Sequence, residues 1–283
     1  MTHQQTAGQR MPGQQMAGRH AVITGAGAGI GREAALLFAR EGAAVAAADL
    51  NLAAAEATAE AITAAGGKSL ALEVDVAKGE SVSEMIAAAE AGLGRVDTLF
   101  NNAGIMLSED RGPEDTDLAI WDRTIAINLT GVFHGCRFGI PALRRAGGGA
   151  ILNMASLVAV MGSAVPQLAY TASKGGVMAM TREIAVQYGR QGIRANALLP
   201  GPIGTPLTAE LFDTPQKLER RRVHMPLGRF GEAAEVASVA CFLCSEAASY
   251  VTGAGWLVDG GISAAYVTPE DGVSGDDVSE GGA

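Results

Sequence analysis

The chain has 283 residues, 48% of them hydrophobic and 18% charged, with a formal net charge of −9. That length and apolar content allow one large α/β domain or two small ones, and they exclude global disorder. The acidic balance argues against nucleic acid as the main partner. With only 5% aromatics and 38 glycines, the composition suits close backbone approach more than an aromatic core.

Residues 1–18, MTHQQTAGQRMPGQQMAG, are rich in Gln and Gly and lack an apolar h-region, so they read as a flexible arm and not as a secretory signal. No uninterrupted apolar run reaches membrane-spanning length, and a soluble cytoplasmic protein is the expectation. The first apolar run, HAVIT (20–24), reads as a strand ending in TGAGAGIG, with a helix from Ile30. The glycine spacing is GxxxGxG, carried by Gly25, Gly29 and Gly31, with Gly27 and Ile30 in the same turn. Glycines here make a tight turn, admit a pyrophosphate to the backbone and let helix and strand pack closely, with the phosphates at the positive helix end. The second run, AVAAAD (44–49), ends in Asp49, which stands 18 positions beyond Gly31. A carboxylate there accepts hydrogen bonds from the adenosine ribose hydroxyls and repels a 2′-phosphate. The glycine loop carries no base before Arg32, so NAD(H) is expected over NADP(H), with Arg32 and Arg40 serving the helix surface. Gly67-Lys68-Ser69 imitates the end of a P-loop, but Ile62 stands where the required glycine would be.

Further runs follow at LALEVD (70–75), DTLFNN (97–102), AILNMAS (150–156), IRANALLP (193–200) and GWLVDG (255–260). The stretches between them, beginning near Leu52, Glu80, Trp121, Tyr170, Thr205 and Glu232, mostly have helix length. Continuous apolar runs suit strands covered on both faces. Strand–helix alternation implies right-handed crossovers, so the expected fold is α/β: one domain over 19–266, a doubly wound, parallel, seven-stranded sheet with helices on both faces. Within YTASK, Tyr170 and Lys174 are four apart and share a helix face. A cation within ~4–6 Å favours the phenolate and would lower a tyrosine pKa from ~10 toward useful proton exchange. Ser156 lies upstream, able to hydrogen-bond the same oxygen. Cys241 and Cys244 form a CxxC inside VASVACFLCSEAA, where they read as small core residues of a buried helix and not as a redox or metal pair. Residues 267–283 read as a flexible tail whose Glu270, Asp271, Asp276, Asp277 and Glu280 supply −5 of the net charge.

Over about residues 18–266, these features resemble the short-chain dehydrogenase/reductases in their compact single-domain form. TGAGAGIG is similar to the family's TGxxxGxG. Asp75 falls at its adenine-contacting position with Val76 beside it, although capping the next helix is an equally open role for Asp75. NNAG, with Asn102, Ala103 and Gly104, resembles the motif closing the fourth strand near the adenosine. Asn128 in AINLTG, with Ser156, Tyr170 and Lys174, matches the catalytic tetrad, and the 14-residue step from Ser156 to Tyr170 is the family's usual one. PGPIGTP, with Pro200, Gly201, Ile203 and Thr205, resembles the element beside the nicotinamide.

The resemblance implies reversible hydride transfer between a secondary alcohol carbon and the nicotinamide. In that scheme Tyr170 is the general base or acid, Lys174 lowers its pKa and holds the nicotinamide ribose, and Ser156 bonds the substrate oxygen. Asn128 would hold a water relaying protons from Lys174. It also implies a homotetramer, with dimer contacts on the helices around 121–136 and 170–188. Three segments are expected to wall the substrate pocket, 105–107, 157–165 and 206–225, and the segment around 205–227 is expected to act as a lid. Their apolar content suggests a lipophilic or alicyclic small-molecule substrate. Lys217, Arg220, Arg221 and Arg222 raise a competing reading, a 3-oxoacyl thioester reductase docking an acyl carrier protein, although such charge runs are usually solvated faces. A dinucleotide-sensing or scaffolding protein is disfavoured by the complete tetrad. A sugar epimerase or dehydratase is disfavoured because the chain lacks the extra C-terminal domain such enzymes usually carry.

Overall fold

In the computed structural model, which describes residues 14–163, 165–211 and 213–264, the apolar runs are strands and the stretches between them helices. The first half contains β1 (His20–Thr24), α1 (Gly29–Arg40), β2 (Ala44–Asp49), α2 (Leu52–Ala64), β3 (Ser69–Glu73), α3 (Gly79–Leu93) and β4 (Thr98–Asn101). Then come α4 (Leu118–Ile125), a π turn (Ala126–Thr130), α5 (Gly131–Arg145), β5 (Gly149–Met154), α6 (Leu168–Tyr188) and β6 (Ile193–Pro200). The last part holds β7 (Ile203–Gly204), α7 (Pro215–Arg222), β8 (Gly231–Glu232), α8 (Ala233–Cys244) and β9 (Gly255–Val258).

Seven strands pair in parallel in the order β3-β2-β1-β4-β5-β6-β9. Successive strand residues point to opposite faces, and here both faces are buried. Val22, Ala46, Leu99 and Ile151 join the core layer that includes Val82, Met85, Val132 and Val177. Their neighbours Ala21, Val45, Phe100 and Leu152 join the opposite layer with Ala34, Phe38, Val236 and Ala240. This is why the runs read as continuously apolar. Caps fix where helices begin: Asn51 accepts from the Ala54 N–H, Asp117 from the Ala119 N–H, and Glu232 and Glu235 cap α8 reciprocally.

The structure departs from the sequence reading in several places. The third and fourth runs leave the ladder early, at Glu73 and Asn101. The stretch from Trp121 begins at Leu118 instead, started by the Asp117 cap. The segment expected as a lid is a 3₁₀ turn (Pro206–Leu211) followed by the short helix α7, and its two ends are stapled by the unforeseen parallel pairing of β7 with β8. The expected arm is structured by Gln14. Met16 is fully buried in the α1/α8 layer, and its N–H donates to the Glu41 carbonyl at 2.9 Å. The acidic tail lies outside the described residues. Cys136, Cys241 and Cys244 are free and buried, and burial pushes each thiol up to about 12, which fits core packing. Among the described residues no helix is long and apolar enough to cross a membrane.

Candidate active site

β1 connects outward to β2 and β3, while β4, β5 and β6 continue on its other side. A parallel sheet opens a crevice beyond its carboxyl ends where the connections diverge in this way. The cleft here, of ≈ 270 Å³, lies at that point. It is lined by Gly25, Gly29, Ile30, Asp49, Asn102, Ala103, Gly104, Ser156, Tyr170, Lys174, Pro200, Gly201, Ile203 and Thr205, all singled out from the sequence.

The glycine turn is built by close contact. Gly25 has φ 66°, and a methyl there would stand 2.9 Å from the Ala103 Cα. A methyl on Gly31 would run into the Gly25 carbonyl oxygen, so Gly31 serves helix–strand packing and does not line the cleft. Gly27 also lies outside the lining. Its N–H donates to Asp49 Oδ2 at 2.9 Å, while Asp49 Oδ1 accepts from the Asn51 N–H at 2.9 Å. The carboxylate is therefore oriented at the cleft edge by the glycine loop it faces. Arg32 turns away and pairs with Glu33 on the helix surface at 3.4 Å. Across the crevice, Thr24 Oγ1 accepts from the Asn102 and Ala103 N–H groups, both at 3.1 Å. The Asn102 amide donates to the Thr24 and Gly25 carbonyls at 3.0 and 3.2 Å. Asn101, one residue earlier, points into the core and donates to Asn153 Oδ1 at 2.8 Å.

Ser156 follows β5, and Tyr170 and Lys174 stand on the first turns of α6. The Ser156 and Tyr170 side chains both line the cleft. Lys174 is buried, its Nζ 5.5 Å from the centre of the Tyr170 ring and donating to the Met154 carbonyl at 2.9 Å. The expected shift of Tyr170 requires correction. Burial raises its phenol above the ordinary value, with the Ser156 hydroxyl pulling the other way. Burial also shifts the ammonium, lowering it to about 8. The shared helix face is as expected, but the cation spends its short contact on a carbonyl and not on the phenol oxygen.

Asn128 is fully buried in the π turn and does not line the cleft. Its Oδ1 accepts from the Ile105 N–H and its Nδ2 donates to the Ile105 carbonyl, both at 2.8 Å, with a further bond to Ser173 Oγ at 3.3 Å. It anchors the segment leaving β4 as a second strand would. π turns of this kind recur at functional sites. Gly104 separates it from Lys174: a methyl there would lie 3.2 Å from Asn128 Oδ1 and 3.4 Å from Lys174 Nζ. Asp75 is also outside the cleft. Its Oδ1 caps the Ala77 N–H at 3.1 Å and its Oδ2 pairs with Lys78 at 3.1 Å, and Val76 is buried against Gly131. Sequence reading missed Thr24, Met154 and Ser173, whose parts depend on contacts across the fold. Thr208 was also missed. It accepts from the Thr205 N–H at 3.1 Å and holds the start of the 3₁₀ turn that follows β7.

A glycine turn without room for side chains, an oriented acid at the end of the second strand, and a Ser–Tyr–Lys group at the mouth together fit a nicotinamide dinucleotide. Residues 25–263 match the family model described as Enoyl-(Acyl carrier protein) reductase. The chain is 41% identical over 241 residues to the cyclohexanol dehydrogenase of Acinetobacter sp. (strain SE19), covering 85% of this chain and 93% of that one. The chain belongs to the short-chain dehydrogenase/reductase family. It is also 38% identical over 256 residues to the levodione reductase of Leifsonia aquatica, covering 88% of this chain and 95% of that one. A crystal structure of levodione reductase superposes with a TM-score of 0.83 at 38% identity, over 88% of this chain and 99% of that one. As a member of this family the protein is an oxidoreductase that moves hydride between a nicotinamide dinucleotide and a secondary alcohol or ketone.

The lowered Lys174 value has a consequence for stability. Between about pH 8 and the free lysine pKa of ~10.4, the folded protein binds fewer protons than the unfolded chain, so stability rises with pH there. Below that window the cost of keeping the buried ammonium charged is present in full. Relative to Lys174→Met, the cofactor-free wild type should gain a few kcal/mol from about pH 8 to about pH 10 in urea unfolding. A wild-type-minus-variant difference that stays constant over this range would contradict the buried, depressed ammonium.

Proposed function

We propose that the protein is an NAD(H)-dependent dehydrogenase/reductase of uncharged, apolar or alicyclic secondary alcohols and ketones. The observation that carries this reading is the Ser156–Tyr170–Lys174 group opening onto a cleft whose far edge carries Asp49. When bound, the dinucleotide supplies or accepts the hydride. Gly25, Gly29 and Ile30 hold its phosphates at the start of α1, and Asp49 accepts from the adenosine ribose hydroxyls. Asn102, Ala103 and Gly104 support the adenosine end, Pro200, Gly201, Ile203 and Thr205 the nicotinamide end, while Asp75 and Val76, outside the cleft, act only by shaping the turn after β3. Tyr170 Oη exchanges the proton with the substrate oxygen. Ser156 Oγ donates to that oxygen and shares its developing charge. Lys174 holds positive charge beneath the phenol, and Asn128 keeps the neighbouring backbone in place.

Substrate character follows from the lining. Met154, Ala155, Pro206 and Leu207 also line the cleft, and Lys174 is the one basic side chain lining it among the described residues. The names of two relatives, cyclohexanol dehydrogenase and levodione reductase, agree with an alicyclic substrate. The acyl-carrier-protein reading loses its support because Lys217 pairs with Asp213 at 2.8 Å and Arg222 with Glu219 at 2.7 Å, leaving a partly neutralised helix face.

Three measurements bear on these assignments. Tyr170→Phe should lower turnover of cyclohexanol by roughly 10²–10⁴-fold while leaving NAD⁺ affinity nearly intact, and a near-wild-type rate refutes the role of Tyr170. The kcat/KM with NAD⁺ should exceed that with NADP⁺ by about 100-fold, and Asp49→Ala should shrink the ratio. Equal or reversed preference in the wild type would sink the cofactor assignment. A homotetramer is further inferred, supported by the exposed Leu118, Phe133 and Val186 on α4, α5 and α6. Light scattering that returns a monomer mass would exclude it.

A further inference from the structure

Gln167, at the N-cap position of α6, makes no side-chain cap bond. The cap comes from Asp110, nearly 60 residues upstream. This carboxylate is only 2% exposed; its Oδ1 accepts from the Ala169 N–H at 3.0 Å and its Oδ2 from the Tyr170 N–H at 2.8 Å. A carboxylate at a helix N-terminus satisfies two otherwise orphan donors and faces the positive end of the helix dipole. One residue on, the Leu168 N–H donates to the Arg111 carbonyl at 3.2 Å.

The carbonyl side of Tyr170 is held as well. Ser173 Oγ donates to it at 2.6 Å and in turn accepts from Asn128 Nδ2 at 3.3 Å. Asn128 grips both backbone groups of Ile105. The hydrogen bonds therefore close a ring: Asn128 to Ile105, along the chain to Asp110, across to the Tyr170 N–H, and from the Tyr170 carbonyl through Ser173 back to Asn128. Residues 105–109, which include the expected pocket wall 105–107, form one arc of that ring, and the backbone of Tyr170 forms another.

We propose that Asp110 is a positioning residue that fixes segment 105–109, with its expected pocket wall 105–107, and the backbone of Tyr170 relative to each other. Movement of the wall on substrate entry is thereby transmitted to the tyrosine, and the tyrosine cannot rotate away without releasing the wall. The proposal rests on the reading of Tyr170 as the proton-exchanging residue, and its test is arranged to separate the two.

Asp110→Asn keeps the shape but turns one acceptor into a donor. Asp110→Ala removes both. With cyclohexanol and NAD⁺ as probes, kcat should fall by about tenfold in Asp110→Asn and about 100-fold in Asp110→Ala, with KM for the alcohol rising less than kcat falls. The NAD⁺ dissociation constant should stay within about twofold of wild type. Hydrogen–deuterium exchange of the full-length cofactor-free protein should quicken together in the peptides spanning 105–110 and 167–174 of Asp110→Ala. Unchanged kcat in Asp110→Ala, a parallel loss of kcat and NAD⁺ binding in both variants, or faster exchange in only one of the two segments overturns the proposal. Joint quickening of both segments supports the tether even if the wild type turns over no alcohol or ketone, a result that would count against the proposed reaction alone.

Discussion

The site depends on how two adjacent parallel strands part company. β1 and β4 run side by side, but the chain leaves them toward opposite ends of the sheet. Their carboxyl ends would separate if nothing bridged them. Thr24 and Asn102 supply that bridge, each using its side chain on the other strand's backbone. The bond pair holds the glycine turn against the NNAG segment at a distance no Cβ on Gly25 would permit. A cradle with bare backbone on one side and an oriented carboxylate on the other follows from it.

The reactive end obeys a different constraint. Lys174 is buried with a backbone carbonyl as its hydrogen-bond partner, and no carboxylate bonds it directly. An ammonium without a counter-ion in a poorly solvated place is held at a cost, which its depressed pKa expresses. A site that stores charge in this way is prepared for an anionic oxygen to appear nearby. Tyr170 is the complement: without that anion, burial keeps its phenol neutral. Strained protonation states are characteristic of functional sites, and both members of the pair show one.

Around this pair the protein spends buried polar side chains on backbone. Asn128, Ser173 and Asp110 all satisfy main-chain groups of Ile105, Ala169 or Tyr170. Irregular backbone beside a cleft cannot pair in a ladder, so side chains must take the place of the missing strand. The π turn at Ala126–Thr130 belongs to the same arrangement, because it accompanies the inward Asn128 in an otherwise helical stretch.

The sequence by itself determined the layered α/β fold, the seven strands and most of the cleft lining. Those properties are local: apolar runs short enough for strands, glycines at a fixed spacing, an acid at a strand end, and a tyrosine and lysine one helical turn apart. Only the tertiary structure decided that Met16 belongs to the core, that Gly31 packs while Gly25 lines, that Lys174 bonds the Met154 carbonyl, and that Tyr170 is raised and not lowered. It alone brought Asp110 to α6 from nearly 60 residues away. Spacing along a chain reports which residues share a face. Burial, desolvation and contacts between distant segments depend on what is packed against that face, and no local pattern contains that information.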